Sequence, residues 1–125
     1  MKKKRILIVD DEETIRILLL EIFKSLGYET ETVENGEEAI RQLAGKTYDL
    51  LITDYTMPKM DGLELTRRIK IINPSIPVLV FTSYGPESEL LKSGALACIK
   101  KPLNISELKM ISQNILDGCP PHSST

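Results

Sequence analysis

The sequence predicts a doubly wound α/β sandwich, a parallel sheet lying between two layers of helices, and three observations carry that prediction. Four short runs, ILIV at 6–9, DLLIT at 49–53, PVLVF at 77–81 and a weaker ACI at 97–99, are apolar on both faces, as strands covered on both sides must be. The longer segments between them repeat their apolar residues at helical spacing. The connections are short, so that β-α occurs five times in succession, and crossovers of that kind are right-handed.

Each element has its own local reason. After ILIV, the residues Ile15, Leu18, Leu19, Ile22, Phe23 and Leu26 fall at i, i+3, i+4, i+7, i+8 and i+11, one face of a helix that Gly27 ends. The second strand, Tyr28 to Val33, alternates Tyr, Thr and Val with Glu and Thr, which places it at a sheet edge. Helices follow from Gly36 to Ala44 and, beyond DLLIT, from Gly62 to Ile71. After PVLVF the segment SYGPESELLKSG holds a short fourth helix, with Pro86 confined to its first turn. A last helix spans 104–116, with Asn104 or Ser106 as its N-cap. From Gly118 the sequence GCPPHSST is small, polar and proline-rich, so residues 1–117 read as one domain and 118–125 as a flexible tail or linker stub. His122, the only histidine, takes no role there.

Composition narrows the function. A chain of 125 residues builds one core and is too short for two. Lys and Arg number 16 against 18 Asp and Glu, a formal net charge of -2, without the basic excess of a nucleic-acid or membrane-surface binder. The run Lys2-Lys3-Lys4-Arg5 has no interleaved aromatics and no second cluster, so it reads as a solvated start. Cys98 and Cys119 are too few for a disulfide framework and lack metal-finger spacing. No apolar run nears the roughly 18 residues of a membrane span, and the charged start is not a signal peptide. A cytoplasmic protein is expected.

In open α/β sheets ligands bind beyond the carboxyl ends of the strands. Those ends carry Asp10 and Asp11, Asp54, Thr82 and Lys101, five polar residues predicted to meet on one rim. Carboxylates in contact repel by a few kcal/mol per pair at an effective dielectric near ~20, and Lys101 offsets only one charge. Hard oxygens with room for water suit Mg²⁺. Asp54 is then a positioned oxygen nucleophile, Thr82 a hydroxyl donor and Lys101 a charge partner for an incoming anion, a set suited to phosphoryl transfer. Singly, each has a plainer reading: an aspartate after a strand often caps a helix, and Thr82 and Lys101 are ordinary loop types. Capping does not explain all five on one rim. Glu12 and Glu13 read as first-turn acids that favour the start of helix one.

The motifs IVDDEE, TDYTMPKMDGLEL, VFTS and KKP, in that order on those strand ends, resemble the receiver domain of bacterial two-component response regulators, over residues 5 to about 117. The resemblance implies a flavodoxin-like strand order 2-1-3-4-5. It implies a signalling switch, not an enzyme, in which Asp54 takes a phosphoryl group from a phosphohistidine on a histidine kinase or histidine phosphotransfer protein. The signal would pass by protein contacts to an output domain or downstream protein. By the family pattern Asp11, Asp54 and the backbone carbonyl of Thr56 contact Mg²⁺, Asp10 acts through a bound water, and Thr82 and Lys101 engage the phosphoryl oxygens. Met57-Pro58 and Asp61-Gly62 shape the loop beside the acceptor, and Lys101-Pro102 is an expected cis bond. Thr56 and Tyr84 are expected to flank the path of an attacking water.

Two features depart from the family. Cys98 stands where a Tyr or Phe is common, so coupled threonine-aromatic switching is not expected. Thr82 and Lys101 are 19 positions apart, fewer than usual, so the fourth helix is expected to be about a turn short or else partly disordered.

In helix one, IRILLLEIF resembles the same segment of a single-domain phosphorelay intermediate of sporulating bacilli. Ile17 and Leu20 there lie off the predicted buried face; ordinary partial burial is their default reading, and a docking surface for a histidine-bearing helical partner is the sharper one. Rival classes lack their signatures. A haloacid-dehalogenase-type phosphatase needs a second aspartate where Thr56 stands, and a flavin-binding flavodoxin-like protein needs a hydroxyl- and glycine-rich loop where DDEE stands. A complete single-domain regulator and a receiver from a longer protein are both compatible with the sequence.

Overall fold

The computed structural model describes residues 3–118. In chain order the elements are β1 (Arg5–Val9), α1 (Glu13–Ser25), β2 (Glu29–Val33), α2 (Gly36–Gly45), β3 (Leu50–Asp54), α3 (Gly62–Ile72), β4 (Val78–Thr82), α4 (Glu87–Lys92), β5 (Ala97–Lys100) and α5 (Ile105–Leu116). The sheet is parallel throughout and ordered β2-β1-β3-β4-β5. Strand order therefore reverses between β1 and β3, which opens a crevice at their carboxyl ends.

Successive strand side chains point to opposite faces, so each apolar run feeds two cores. Leu7, Val9, Leu51, Val78 and Val80 pack with Ala39, Leu65, Ile69 and Leu90 of α2, α3 and α4. Ile6, Ile8, Leu50, Ile52, Leu79 and Phe81 pack with Leu19 and Phe23 of α1 and Leu108 and Ile111 of α5. The edge strand β2 is the exception that its alternation predicted, with Thr30 and Val33 buried and Glu29 exposed.

Three helices begin at side-chain caps. Asn35, Asp61 and Asn104 accept hydrogen bonds from the backbone N–H groups of Glu38, Glu64 and Glu107 at 2.9, 2.9 and 3.0 Å. Each cap contributes about 1 kcal/mol, and Asn104 rather than Ser106 holds the start of α5. Gly27 ends the turn after α1 at φ 93°, a conformation that side chains disfavour.

The structure corrects three local expectations. Leu18, read as part of the buried face, is 41% exposed, whereas Leu20, read as lying off that face, is half-buried. The reason is what lies opposite: Leu18 faces a gap between α1 and residues 101–105 that, among the described residues, no side chain fills. Pro86 occupies the N-cap of α4, just ahead of the first turn. The helix is short as expected, at 6 residues. Lys2, Cys119, His122 and the tail read at 118–125 lie outside the described residues, apart from Gly118. Among the described residues, no helix is long and apolar enough to cross a membrane.

Candidate functional site

The site is built by strand ends. Asp10 follows β1, and its N–H continues the ladder to the Val33 carbonyl at 3.2 Å. Asp54 and Thr82 are the last residues of β3 and β4. Lys101 follows β5, its N–H bonded to the Thr82 carbonyl at 3.0 Å. Side chains on these residues inherit the rigidity of the central sheet.

Asp54 is 2% exposed, and its Oδ1 meets Lys101 Nζ at 3.0 Å. A longer contact, 3.4 Å, comes from the Thr56 N–H. The same ammonium lies 5.5 Å from the Phe81 ring centroid, so a carboxylate and an aromatic face together hold it. Asp10 is buried more deeply, at 1% exposure. Its Oδ1 accepts the Glu12 N–H at 2.8 Å, but its Oδ2 is buried without a hydrogen-bond partner among the described residues. Burial pushes the Asp10 carboxyl up to about 6; the negative charges of Asp54 and Asp11 act in the same direction, and the Glu12 N–H and Lys101 oppose it.

Carboxylate oxygens of Asp10, Glu12 and Asp54 lie within 4.8 Å of one another. The structure thus brings Asp10, Asp54 and Lys101 together, while Asp11 is exposed and stands outside this group. Glu12 was read as a first-turn acid. It sits at the α1 N-cap with extended backbone, and its side chain joins the rim; Glu13 does occupy the first turn. Only its place two residues after Asp10 hinted at this. Three hard oxygen donors, one of them a buried oxygen with no partner, form a donor set that fits a hard divalent cation.

Thr82 is buried, and its Oγ1 accepts the Gly85 N–H at 2.6 Å. Thr56 and Tyr84 are exposed at the loops beyond Asp54 and Thr82. The Lys101-Pro102 bond is cis. Below the 55–61 loop, Met57 and Met60 are buried, core residues concealed in a sequence that looks like a polar turn. A Cβ on Gly62 would lie 2.8 Å from both the Asp54 carbonyl oxygen and Tyr55 Cα, so only glycine lets α3 start against the acceptor's backbone. Cys98 is half-buried, and burial, aided by Glu87, pushes its thiol up to about 11, which leaves it neutral.

Beside Lys101 lies a cavity of about 410 Å³ lined by Ile15, Leu18, Phe81, Pro102, Leu103 and Ile105 among others. Ile17, 48% exposed, lies on the same helix. A cavity of about 490 Å³ at the opposite end of the sheet is lined by Lys3, Lys4, Arg5, Glu29, Thr47 and Asp49. Its charges are partly paired, Arg5 with Glu29 at 2.6 Å, and it is remote from the strand-end acids.

Comparison with known proteins agrees with this geometry. The response regulator receiver domain model matches residues 6–113. Sporulation initiation phosphotransferase F of Bacillus subtilis (strain 168) is 39% identical over 112 residues, covering 87% of this chain and 90% of that protein. Sensor protein EvgS of Escherichia coli (strain K12) is 40% identical over 111 residues, 86% of this chain, but the match spans only 9% of EvgS. The solved structure of response regulator protein TrrA from Thermotoga maritima, in complex with Mg(2+)-BeF, superposes with a TM-score of 0.82 at 39% identity, over 90% of this chain and 98% of that one. Fold and sequence lead to one place, and the chain belongs to the family of response regulator receiver domains.

Proposed function

We propose that Asp54 is the phosphoacceptor of this receiver and that its phosphoryl group comes from a phosphohistidine on a histidine kinase or histidine phosphotransfer protein. The observation that carries the reading is the buried Asp54 carboxylate held at the end of a central strand, 3.0 Å from Lys101. One Asp54 oxygen forms a bond to phosphorus as the P–N bond breaks, and the imidazole nitrogen leaves with the electron pair. Lys101, already against Asp54, balances charge on the transferring group, and the Thr82 hydroxyl donates to one of its oxygens.

Mg²⁺ is the proposed cation, and when bound it neutralises charge on the phosphoryl oxygens. Asp10, Asp54 and the Thr56 carbonyl supply donors for it. Of the remaining acids, Asp11 is the one the family pattern names and Glu12 the one whose carboxylate lies with Asp10 and Asp54. Thr56 and Tyr84, exposed beyond Asp54 and Thr82, flank the approach of hydrolytic water and tune the lifetime of the phosphorylated state. The domain assists its own phosphorylation and dephosphorylation and signals by protein contacts, in the cytoplasm, with no nucleic acid or membrane involved.

The apolar cavity beside Lys101, with Ile17 next to it, is the proposed dock for the helix that carries the donor histidine. Labelling with acetyl phosphate tests the reading. Mg²⁺-dependent labelling that Asp54→Asn abolishes supports it, whereas sustained phosphoester hydrolysis or a bound yellow chromophore would move the protein to a phosphatase or flavin class.

A further inference from the structure

Gly85 lies in the connection between β4 and α4, and its φ is not in the left-handed region, where among the described glycines only Gly27, Gly94 and Gly118 fall. Conformational freedom is therefore not what calls for glycine here. Thr82 is. A Cβ on Gly85 would stand 2.4 Å from Thr82 Oγ1, 3.0 Å from its Cβ and 3.1 Å from its Cγ2. The same residue's N–H donates to Thr82 Oγ1 at 2.6 Å. Bare α-carbon and N–H together form a seat for one side chain.

We propose that Gly85 is a positioning residue for phosphorylation, holding the Thr82 hydroxyl in the orientation from which it donates to the phosphoryl group. The proposal rests on the reading of Asp54 as acceptor. A hydroxyl has one proton and two lone pairs. With the Gly85 N–H on one lone pair, the Thr82 proton is turned away from Gly85 and is free for an oxygen at the rim. The Thr82 backbone has no slack, because β4 is paired on both sides and the Thr82 carbonyl accepts from Lys101. Rotation about χ1 is the freedom left, and Gly85 fixes it. The link also extends outward: the Gly85 carbonyl accepts the Glu87 N–H at 2.9 Å at the start of α4, a helix without a side-chain cap.

The test is a double-mutant cycle on the rate at which acetyl phosphate with Mg²⁺ phosphorylates Asp54. An added methyl group drives the hydroxyl off its seat, so Gly85→Ala is expected to slow phosphorylation as much as Thr82→Ala does, within about twofold. In the Thr82→Ala background, Gly85→Ala is expected to have no further effect. Amide NMR of the unphosphorylated protein gives a readout that does not require the Gly85 variant to fold: the Gly85 proton, bonded at 2.6 Å in the wild type, moves upfield in Thr82→Ala. A folded Gly85→Ala protein phosphorylated at the wild-type rate overturns the proposal. So do effects of the two substitutions that multiply, or a Gly85 resonance indifferent to Thr82→Ala. A wild-type chain that acetyl phosphate never labels refutes the acceptor reading and takes this inference with it; normal labelling of both wild type and Gly85→Ala refutes the inference alone.

Discussion

Replacing Asp10 with Asn should stabilise the cation-free protein at neutral pH and leave it unchanged in acid. In the folded state burial pushes the Asp10 carboxyl from an ordinary 3.8 up to about 6. Between those values the folded state binds more protons than the unfolded one, so stability falls as pH rises. The stabilising protonated form is fully present below 3.8 and lost on passing about 6. At 1.36 kcal/mol per pH unit the gap amounts to about 3 kcal/mol of destabilisation at pH 7 and above. Asparagine keeps an oxygen for the Glu12 N–H and replaces the buried, partnerless Oδ2 with a donor close to the Asp54 carboxylate. For a domain of this size ~3 kcal/mol moves Tm by about 10 °C.

The assay is thermal unfolding followed by circular dichroism in chelator, from pH 4 to pH 8, for both proteins. The difference between them cancels every other titrating group. Asp10→Asn is expected to match the wild type near pH 4, to exceed it by up to about 10 °C at pH 7.5, and to lose most of that lead in millimolar Mg²⁺, the proposed cation, whose binding would stabilise the wild type. A lead independent of pH, or a variant less stable than wild type at pH 7.5 without cation, would refute the reasoning that repulsion and burial at Asp10 cost stability.

Three further outcomes are expected. Ile17→Glu, on the exposed face of α1, should slow transfer from a protein phosphohistidine while acetyl phosphate labels Asp54 at the wild-type rate; equal slowing in both assays removes the docking surface. Gly62→Ala places a Cβ 2.8 Å from the Asp54 carbonyl oxygen, so it should cost about 1–3 kcal/mol in urea unfolding and slow phosphorylation as well; an unperturbed variant shows that the loop yields. Asn104→Ala removes the 3.0 Å cap of α5 and should cost about 1 kcal/mol with no change in phosphorylation, because the Asn104 side chain bonds the Glu107 N–H and is not one of the grouped carboxylates of Asp10, Glu12 and Asp54.

Much of this architecture is legible because it follows from periodicity and topology. Strands apolar on both faces had to be covered on both sides, and β2, with its alternating glutamates and threonines, had to lie at an edge. Asp10, Asp54, Thr82 and Lys101 were found by asking only what stands at the strand ends. Of the three side-chain caps only Asn104 was read from the sequence, as one of two candidates; the caps at Asn35 and Asp61 were not, although each likewise stands three residues ahead of a glutamate. The strand order came from family resemblance, which the hydrogen-bonded pairing matches.

What was not legible depends on tertiary neighbours. Helical spacing gives the direction of an apolar stripe but not what fills the space opposite it, so Leu18 and Leu20 exchanged places. Glu12 joins the acids because its carboxylate comes within 4.8 Å of those of Asp10 and Asp54, Met57 and Met60 turn inward from a loop, and the seat that Gly85 makes for Thr82 joins atoms that no periodicity relates.

The central claim is that Asp54 accepts phosphate, and the most direct measurement is site-resolved mass spectrometry after incubation with acetyl phosphate. The account predicts one phosphoryl group, located on the peptide containing Asp54, present with Mg²⁺ and absent with chelator or in Asp54→Asn. A wild-type protein left unlabelled under these conditions, or an Asp54→Asn protein labelled to the same extent, would contradict it.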